Sequence, residues 1–171
     1  LIDASQQASF GRGGKDVLDP SYRRALVLNP DRITITPAGS LEPHAMGIVE
    51  AISQSLVSIS DGSVSHRRVV AVFDKLNVYS EGDFFKGHVD TPSSPGMFGT
   101  LLINLPVAHE GGQLVVRAPE ASAKHRKGVR DDSEGTPKQY MTNWAGSTDI
   151  NWIAFFSDCE HEVLPVTRGN R

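Results

Sequence analysis

The sequence predicts a mainly β domain, a sandwich or barrel, with one α-helix packed outside it. Three observations carry that reading. Short β-branched runs recur through the second half of the chain: RRVVAVFDKLNVY, GTLLINLPV, GQLVVRA, NWIAFFS and EHEVLPV. Turn clusters separate them, namely EGD, TPSSPG, HEGG and TRGN. Only one stretch, PHAMGIVEAISQSL, shows helical spacing instead. Strands this short bury little alone, so they must stack in layers around a shared core.

Taken in order, residues 1 to about 40 are rich in Gly, Pro, Asp and Ser and read as loops with one strand at ALVLNP. A helix is expected over about 43–56, with Met46, Val49, Ile52 and Leu56 on one face and Pro43 in its first turn. SDGSVSH, residues 60–66, reads as a turn. The chain thus divides into an N-terminal support region, 1–66, and a β core, 67–171, within one domain. KHRKGVRDDSEGTPK is polar, mixed in charge and aperiodic, a surface loop. Phe84, Phe85, Phe155, Phe156 and Trp152 are expected in the core, and Cys159 as a small buried residue.

The 171 residues suit one substantial core, and 39% apolar with 22% charged residues is ordinary for a globular protein. A net charge of −3 provides no field to draw in nucleic acid or an anionic membrane, so neither partner is expected. A single cysteine rules out an internal disulfide framework and suits a reducing compartment, cytoplasmic or nuclear. No apolar run reaches the roughly 18 residues of a membrane span. The chain begins without Met and stops abruptly at Arg171, and it is read as a piece of a longer protein. Oligomeric state has no signal in it.

Of the six histidines, His44, His66, His109 and His125 fall in turns, loops or a helix start and are expected at the surface. His88 and His161 have more telling neighbours. In FFKGHVD, His88 and Asp90 are two residues apart, so on a strand they share a face with Val89 opposed. That pair alone fits a solvated face as well as a metal site. A strand carrying His161 opposite them would complete two imidazoles and one carboxylate. Such a set leaves three adjacent positions open on an octahedral ion, as in non-haem Fe(II) oxygenases. If 2-oxoglutarate were the cosubstrate, its far carboxylate would need a cation. Arg171, ten residues after His161, is the candidate, with Arg168 a competitor in a turn facing water.

Four ordered segments then make the pattern specific: YSEGDFFKGHVDTP, PGMFGTLLINLP, HEGGQLVV and AFFSDCEHEVLPVTRGNR. From Tyr79 to Arg171 the chain resembles the prolyl-4-hydroxylase-like branch of the 2-oxoglutarate/Fe(II)-dependent dioxygenases. The resemblance implies a double-stranded β-helix (jelly roll), with the last strand truncated because family members run on beyond the arginine. It implies His88, Asp90 and His161 as iron ligands and Arg171 on the far carboxylate of 2-oxoglutarate. Tyr79 would hydrogen-bond the cosubstrate and Thr100 would add a hydroxyl near the same carboxylate. Gly111 and Gly112 would turn the chain into the next strand. Implied cofactors are Fe(II), 2-oxoglutarate and O₂, with ascorbate in support. The expected reaction hydroxylates a C–H bond of a protein side chain or a small molecule, releasing succinate and CO₂.

Other classes fit less well. A cupin-type binder needs an HxH pair and a glutamate, and a zinc peptidase needs a second histidine in HExxH spacing. Neither pattern occurs here. A non-catalytic metal-binding jelly roll serving as an interaction module is the alternative, favoured by loss of a ligand, and none is lost. The loops expected to choose the substrate, 91–97 and 118–149, carry no readable code.

Overall fold

The computed structural model describes residues 2–35, 41–57, 68–119 and 138–171. The turn expected at 60–66, most of the polar loop at 124–138, His66 and His125 lie outside the described residues. The chain forms two compact units, Leu1–Val27 with Asn77–Arg171, and Leu28–Leu76.

The N-terminal stretch is not mainly loop. It holds β1 (Gln6–Gln7), β2 (Phe10–Arg12), β3 (Lys15–Val17), β4 (Arg23–Arg24) and β5 (Leu26–Leu28). Strands of two or three residues are too short to display alternation, which is why composition suggested loops. β2 and β3 form a hairpin in which Arg12 pairs with Lys15 across Gly13 and Gly14. Both glycines have positive φ, 60° and 76°, as a two-residue type I′ turn requires.

The chain continues with β6 (Leu76–Val78), β7 (Phe84–His88), β8 (Gly99–Asn104), β9 (His109–Gly111) and β10 (Leu114–Arg117). It ends with β11 (Gln139–Met141), β12 (Asn151–Phe156), β13 (Glu160–Val163) and β14 (Val166–Gly169). The largest sheet has the order β11-β10-β13-β7-β4, antiparallel throughout. β12 pairs with β8 along six residues, from Asn151↔Asn104 to Phe156↔Gly99. β14 pairs with β9, so most of HEGG and of TRGN, expected as turns, lies in paired strands, with Gly112 left to turn the chain.

The core joins these sheets. Phe85, Leu114, Val116 and Val163 come from the five-stranded sheet, Phe155 from β12 and Val166 from β14. Ala8, Phe10, Ala25 and Val27 of the N-terminal strands complete it. Apolar area leaving water holds the layers together at about 25 cal/mol per Å². Leu114, wholly buried, sits near the centre. Cys159 is buried as expected. Trp152 and Phe156 are not core: they are 40% and 42% exposed, on the face of β12 opposite Phe155. Phe84 is only half-buried.

In the second unit, α1 spans Ile48–Leu56 and buries Ile48, Val49 and Ile52. It starts later than expected because Gly47, at φ 73°, breaks the helical run; Pro43 and Met46 belong to preceding hydrogen-bonded turns. The run RRVVAVFDKLNVY forms a strand only at its end. Val70, Val72 and Phe73 are exposed, and β propensity without a partner strand does not make a ladder.

Candidate metal centre

β7 and β13 run antiparallel with His161 directly opposite His88. β7 ends at His88, so Asp90 lies just past the strand. Val89 between them turns outward and is 50% exposed. Asp90 Oδ1 lies 3.9 Å from His88 Nε2 and 3.7 Å from His161 Nε2. One donor atom from each of the three residues falls within 4.8 Å of the other two.

The imidazoles are held ready for a cation. His88 Nδ1 meets the Lys86 carbonyl at 2.9 Å, and His161 Nδ1 meets the Cys159 carbonyl at 3.2 Å. A carbonyl only accepts, so each Nδ1 donates its proton there and each Nε2 is the nitrogen turned towards Asp90. Burial and then the neighbouring His161 push the His88 pKa down to about 4, against the pull of the Lys86 carbonyl and Asp90. The ring is neutral above that pH. Phe85 stacks on His88 with centroids 3.6 Å apart and 19° between planes, and Phe155 lies 4.8 Å from the His161 ring. Tyr22 donates its hydroxyl to the Gly87 carbonyl at 2.5 Å, pinning the strand next to His88.

Thr100 is placed differently from expectation. Its hydroxyl donates to Asp90 Oδ2 at 2.6 Å, so it orients a carboxylate of the triad rather than reaching the cosubstrate's far carboxylate. The HxD loop folds back beside β8, which no spacing along the chain reveals. With Oδ2 engaged, Oδ1 faces the histidines.

A second cluster forms around Arg171. Its backbone N and O each bond to Tyr79 at 2.7 Å, so the residue is tied in rather than frayed. Its Nε donates to Asn104 Oδ1 at 3.3 Å, one terminal nitrogen donates to the Gly112 carbonyl, and its guanidinium lies 5.6 Å from the Trp144 ring. Burial lowers its pKa, with Tyr79 acting the other way. Among the described residues it has no carboxylate partner. Gly111 and Gly112, with φ of 72° and 66°, make the expected turn between β9 and β10. A Cβ on Gly112 would come within 3.2 Å of Arg171 Cδ, so that glycine leaves room for the side chain. Tyr79 is buried, which raises its phenol pKa against the Arg23 and Arg171 charges. The phenol therefore stays protonated and can donate. Thr100 and Asn104, four residues apart on β8, share one face. One strand thus carries contacts to both clusters, about 13 Å apart along its length.

Arg168 points to solvent and pairs with Glu110 at 3.3 Å. His44 is exposed. His109 is not: it is 6% exposed, with Nδ1 on the Val107 carbonyl at 2.8 Å, because HEGG is a paired strand. Sequence reasoning missed Asn104, Trp144, Tyr22 and Arg23, none of which lies in a motif.

The fold and donor set define a class: an antiparallel β sandwich whose paired strands bring two imidazoles and a carboxylate together where a cation would bind. The family model described as the 2OG-Fe(II) oxygenase superfamily matches residues 75–171, more than half of the chain. The chain belongs to that superfamily and is a 2-oxoglutarate/Fe(II)-dependent dioxygenase, which implies iron and 2-oxoglutarate. No functionally curated protein matches it. It is similar to a crystal structure of a Pseudomonas putida prolyl-4-hydroxylase, at TM-score 0.51 and 19% identity over 95% of this chain and 73% of that one. It is also similar to a Burkholderia pseudomallei oxidoreductase of the 2OG-Fe(II) oxygenase family, at TM-score 0.44 and 17% identity over 99% and 73%. The first likeness shows the jelly-roll fold. No helix among the described residues is long and apolar enough to cross a membrane.

Proposed function

We propose that this dioxygenase hydroxylates an unactivated C–H bond on a protein side chain, using O₂ and releasing succinate and CO₂. The observation carrying the reading is the His88–His161 pairing, with both Nδ1 atoms anchored on backbone carbonyls and Asp90 between the free Nε2 atoms. His88, Asp90 and His161 would hold the iron, and this donor set fits Fe(II) because it leaves adjacent positions open. The bound iron would supply the oxidation, coupled to decarboxylation of 2-oxoglutarate.

The chain's own side chains position and select. Thr100 holds Asp90 by one oxygen so that the other stays directed at the metal. Arg171, bonded among the described residues to neutral oxygens alone, keeps its charge for the far carboxylate of 2-oxoglutarate. Tyr79, kept protonated by burial, donates to the same cosubstrate. A protein substrate is favoured because the metal edge lies near the surface: the Asp90 side chain is 28% exposed and residues 91–96 are exposed. A residue carried on a large body can therefore approach. The structurally similar Pseudomonas putida protein is named a prolyl-4-hydroxylase, which makes peptidyl proline the first substrate to try.

The test supplies Fe(II), ascorbate to keep it reduced, and labelled 2-oxoglutarate. Succinate is measured, and proline-containing proteins and free amino acids are screened for the gain of one oxygen atom. Gain on protein supports the proposal. Gain on free amino acids alone would replace it with a small-molecule reading. Succinate no greater than in the His161→Ala variant would overturn the site assignment.

A further inference from the structure

Arg23 is a buried cation that the roles above leave unused. It lies on β4 opposite Phe85 of β7 and is 6% exposed. Its guanidinium sits 4.4 Å from the centre of the Phe85 ring, and that ring stacks on His88. One terminal nitrogen donates to the Ser9 carbonyl, and the other donates to Asn77 Oδ1 at 2.9 Å. The Nε–H is buried and meets no acceptor in good hydrogen-bond geometry, while the Tyr79 phenol feels the Arg23 side chain as a hydrogen-bond partner. Among the described residues no carboxylate pairs with Arg23, whereas its neighbour Arg24 has Asp83 at 3.6 Å. A guanidinium withdrawn from water without a counter-charge, and with an N–H left poorly bonded, is costly. Such a charge is offset when an anion binds nearby.

The surroundings indicate which anion. Arg23 donates to Asn77, two residues before Tyr79, and the Tyr79 backbone is bonded in both directions to Arg171, so both arginines hold one short segment; the buried Tyr79 phenol senses the charge of Arg23 first and that of Arg171 second. Asp83, the carboxylate it also senses, acts more weakly and is engaged by Arg24 and the Ser80 N–H. Tyr79 is thus influenced by two guanidinium groups whose other partners, among the described residues, are neutral. We propose that Arg23 is a positioning residue for 2-oxoglutarate: it supplies a second positive charge behind Tyr79 that favours the dianion. This inference rests on reading Tyr79 and Arg171 as the cosubstrate end of the site. Arg23 lies outside residues 75–171, so the superfamily match does not cover it.

The test uses the full chain loaded with Mn(II) and measures ligand binding by calorimetry. Arg23→Met is expected to weaken 2-oxoglutarate binding about tenfold or more, the scale of a charge-assisted contact. For 2-oxobutanoate, which lacks the far carboxylate, the expected loss is under about threefold, since only the shared carboxylate then senses the lost charge. Mn(II) affinity without any ligand should stay within about threefold because Arg23 touches no ligand of the metal. Arg23→Lys should recover part of the 2-oxoglutarate affinity. Unchanged 2-oxoglutarate binding, or equal losses for the two ligands, would overturn the proposal. If Arg23→Met does not fold, Arg23→Gln carries the same comparison with the same readings. Arg171→Leu separates the two levels of inference. If it leaves 2-oxoglutarate binding intact, the reading of the cosubstrate end fails. If it weakens binding and the Arg23 variants do not, the Arg23 proposal alone fails.

Discussion

The two clusters of this site are built on opposite electrical plans. Around His88 and His161, one ring stacked on Phe85 and the other tilted against Phe155 flank one carboxylate, a donor set that suits a cation. Around Arg171, a guanidinium has, among the described residues, neutral oxygens and an aromatic face for partners and no carboxylate, so the local charge is positive and suits an anion. The construction differs as well. The metal end draws on two short segments that face each other in one sheet. The Arg171 end gathers Tyr79, Asn104, Gly112 and Trp144 from separate parts of the chain. A site with this polarity would suit a cosubstrate that presents one end to a metal and the other to a cation.

The comparison breaks most completely if the donors go. His88→Ala, Asp90→Ala or His161→Ala is expected to reduce iron-dependent succinate formation to background, while the thermal melting profile shows a folded protein. Full activity in any of the three would remove that residue from the metal set.

Arg171→Leu should act on the other end. Hydrogen bonds to charged groups contribute about 1.5–3 kcal/mol, so the apparent 2-oxoglutarate requirement should rise roughly 10- to 100-fold. Steady-state kinetics at saturating Fe(II) checks it.

Thr100→Val tells the two ends apart, because it removes the hydroxyl while keeping the shape. With Thr100 bonded to Asp90, metal affinity should fall by about tenfold, the lower end for a residue that orients a ligand. The 2-oxoglutarate requirement should move less. The reverse pattern would return Thr100 to the far-carboxylate role expected from the sequence.

Arg168→Leu should have the smallest effect. Its exposed pair with Glu110 is of a kind that contributes about 0–1 kcal/mol, and 2-oxoglutarate kinetics should stay within about twofold of the unaltered protein. A large rise here would make Arg168 the cosubstrate cation.

Parts of this architecture were legible from local pattern because their causes are local. The spacing of two brings His88 and Asp90 to one site on opposite sides of an outward Val89, even though the strand ends at His88, and the runs GTLLIN, NWIAFF and EHEV are long enough to show themselves as strands. The N-terminal strands were not legible, since two or three residues cannot display a period. Val70, Val72 and Phe73 misled in the other direction: they have the composition of a strand and lack a ladder. His109 was read as a surface residue from its place in HEGG, but pairing of β9 with β14 buries it. Trp152 and Phe156 were read as core from their type, yet the register of β12 against β8 leaves them on the exposed face.

By itself the sequence determined which chemistry was on offer: an HxD pair, a later histidine and a basic residue ten positions beyond it, on strand-forming segments. Spacing of two along a strand decides a shared face without reference to anything distant. The tertiary structure alone decided the contacts between residues far apart in the chain. It put Thr100 on Asp90 rather than near Arg171, tied Arg171 to Tyr79 by backbone bonds, and brought Arg23 over Phe85. Those contacts depend on strand register and on which sheet edge each segment joins. Register is fixed by the packing of the whole core, so no local stretch of sequence contains it.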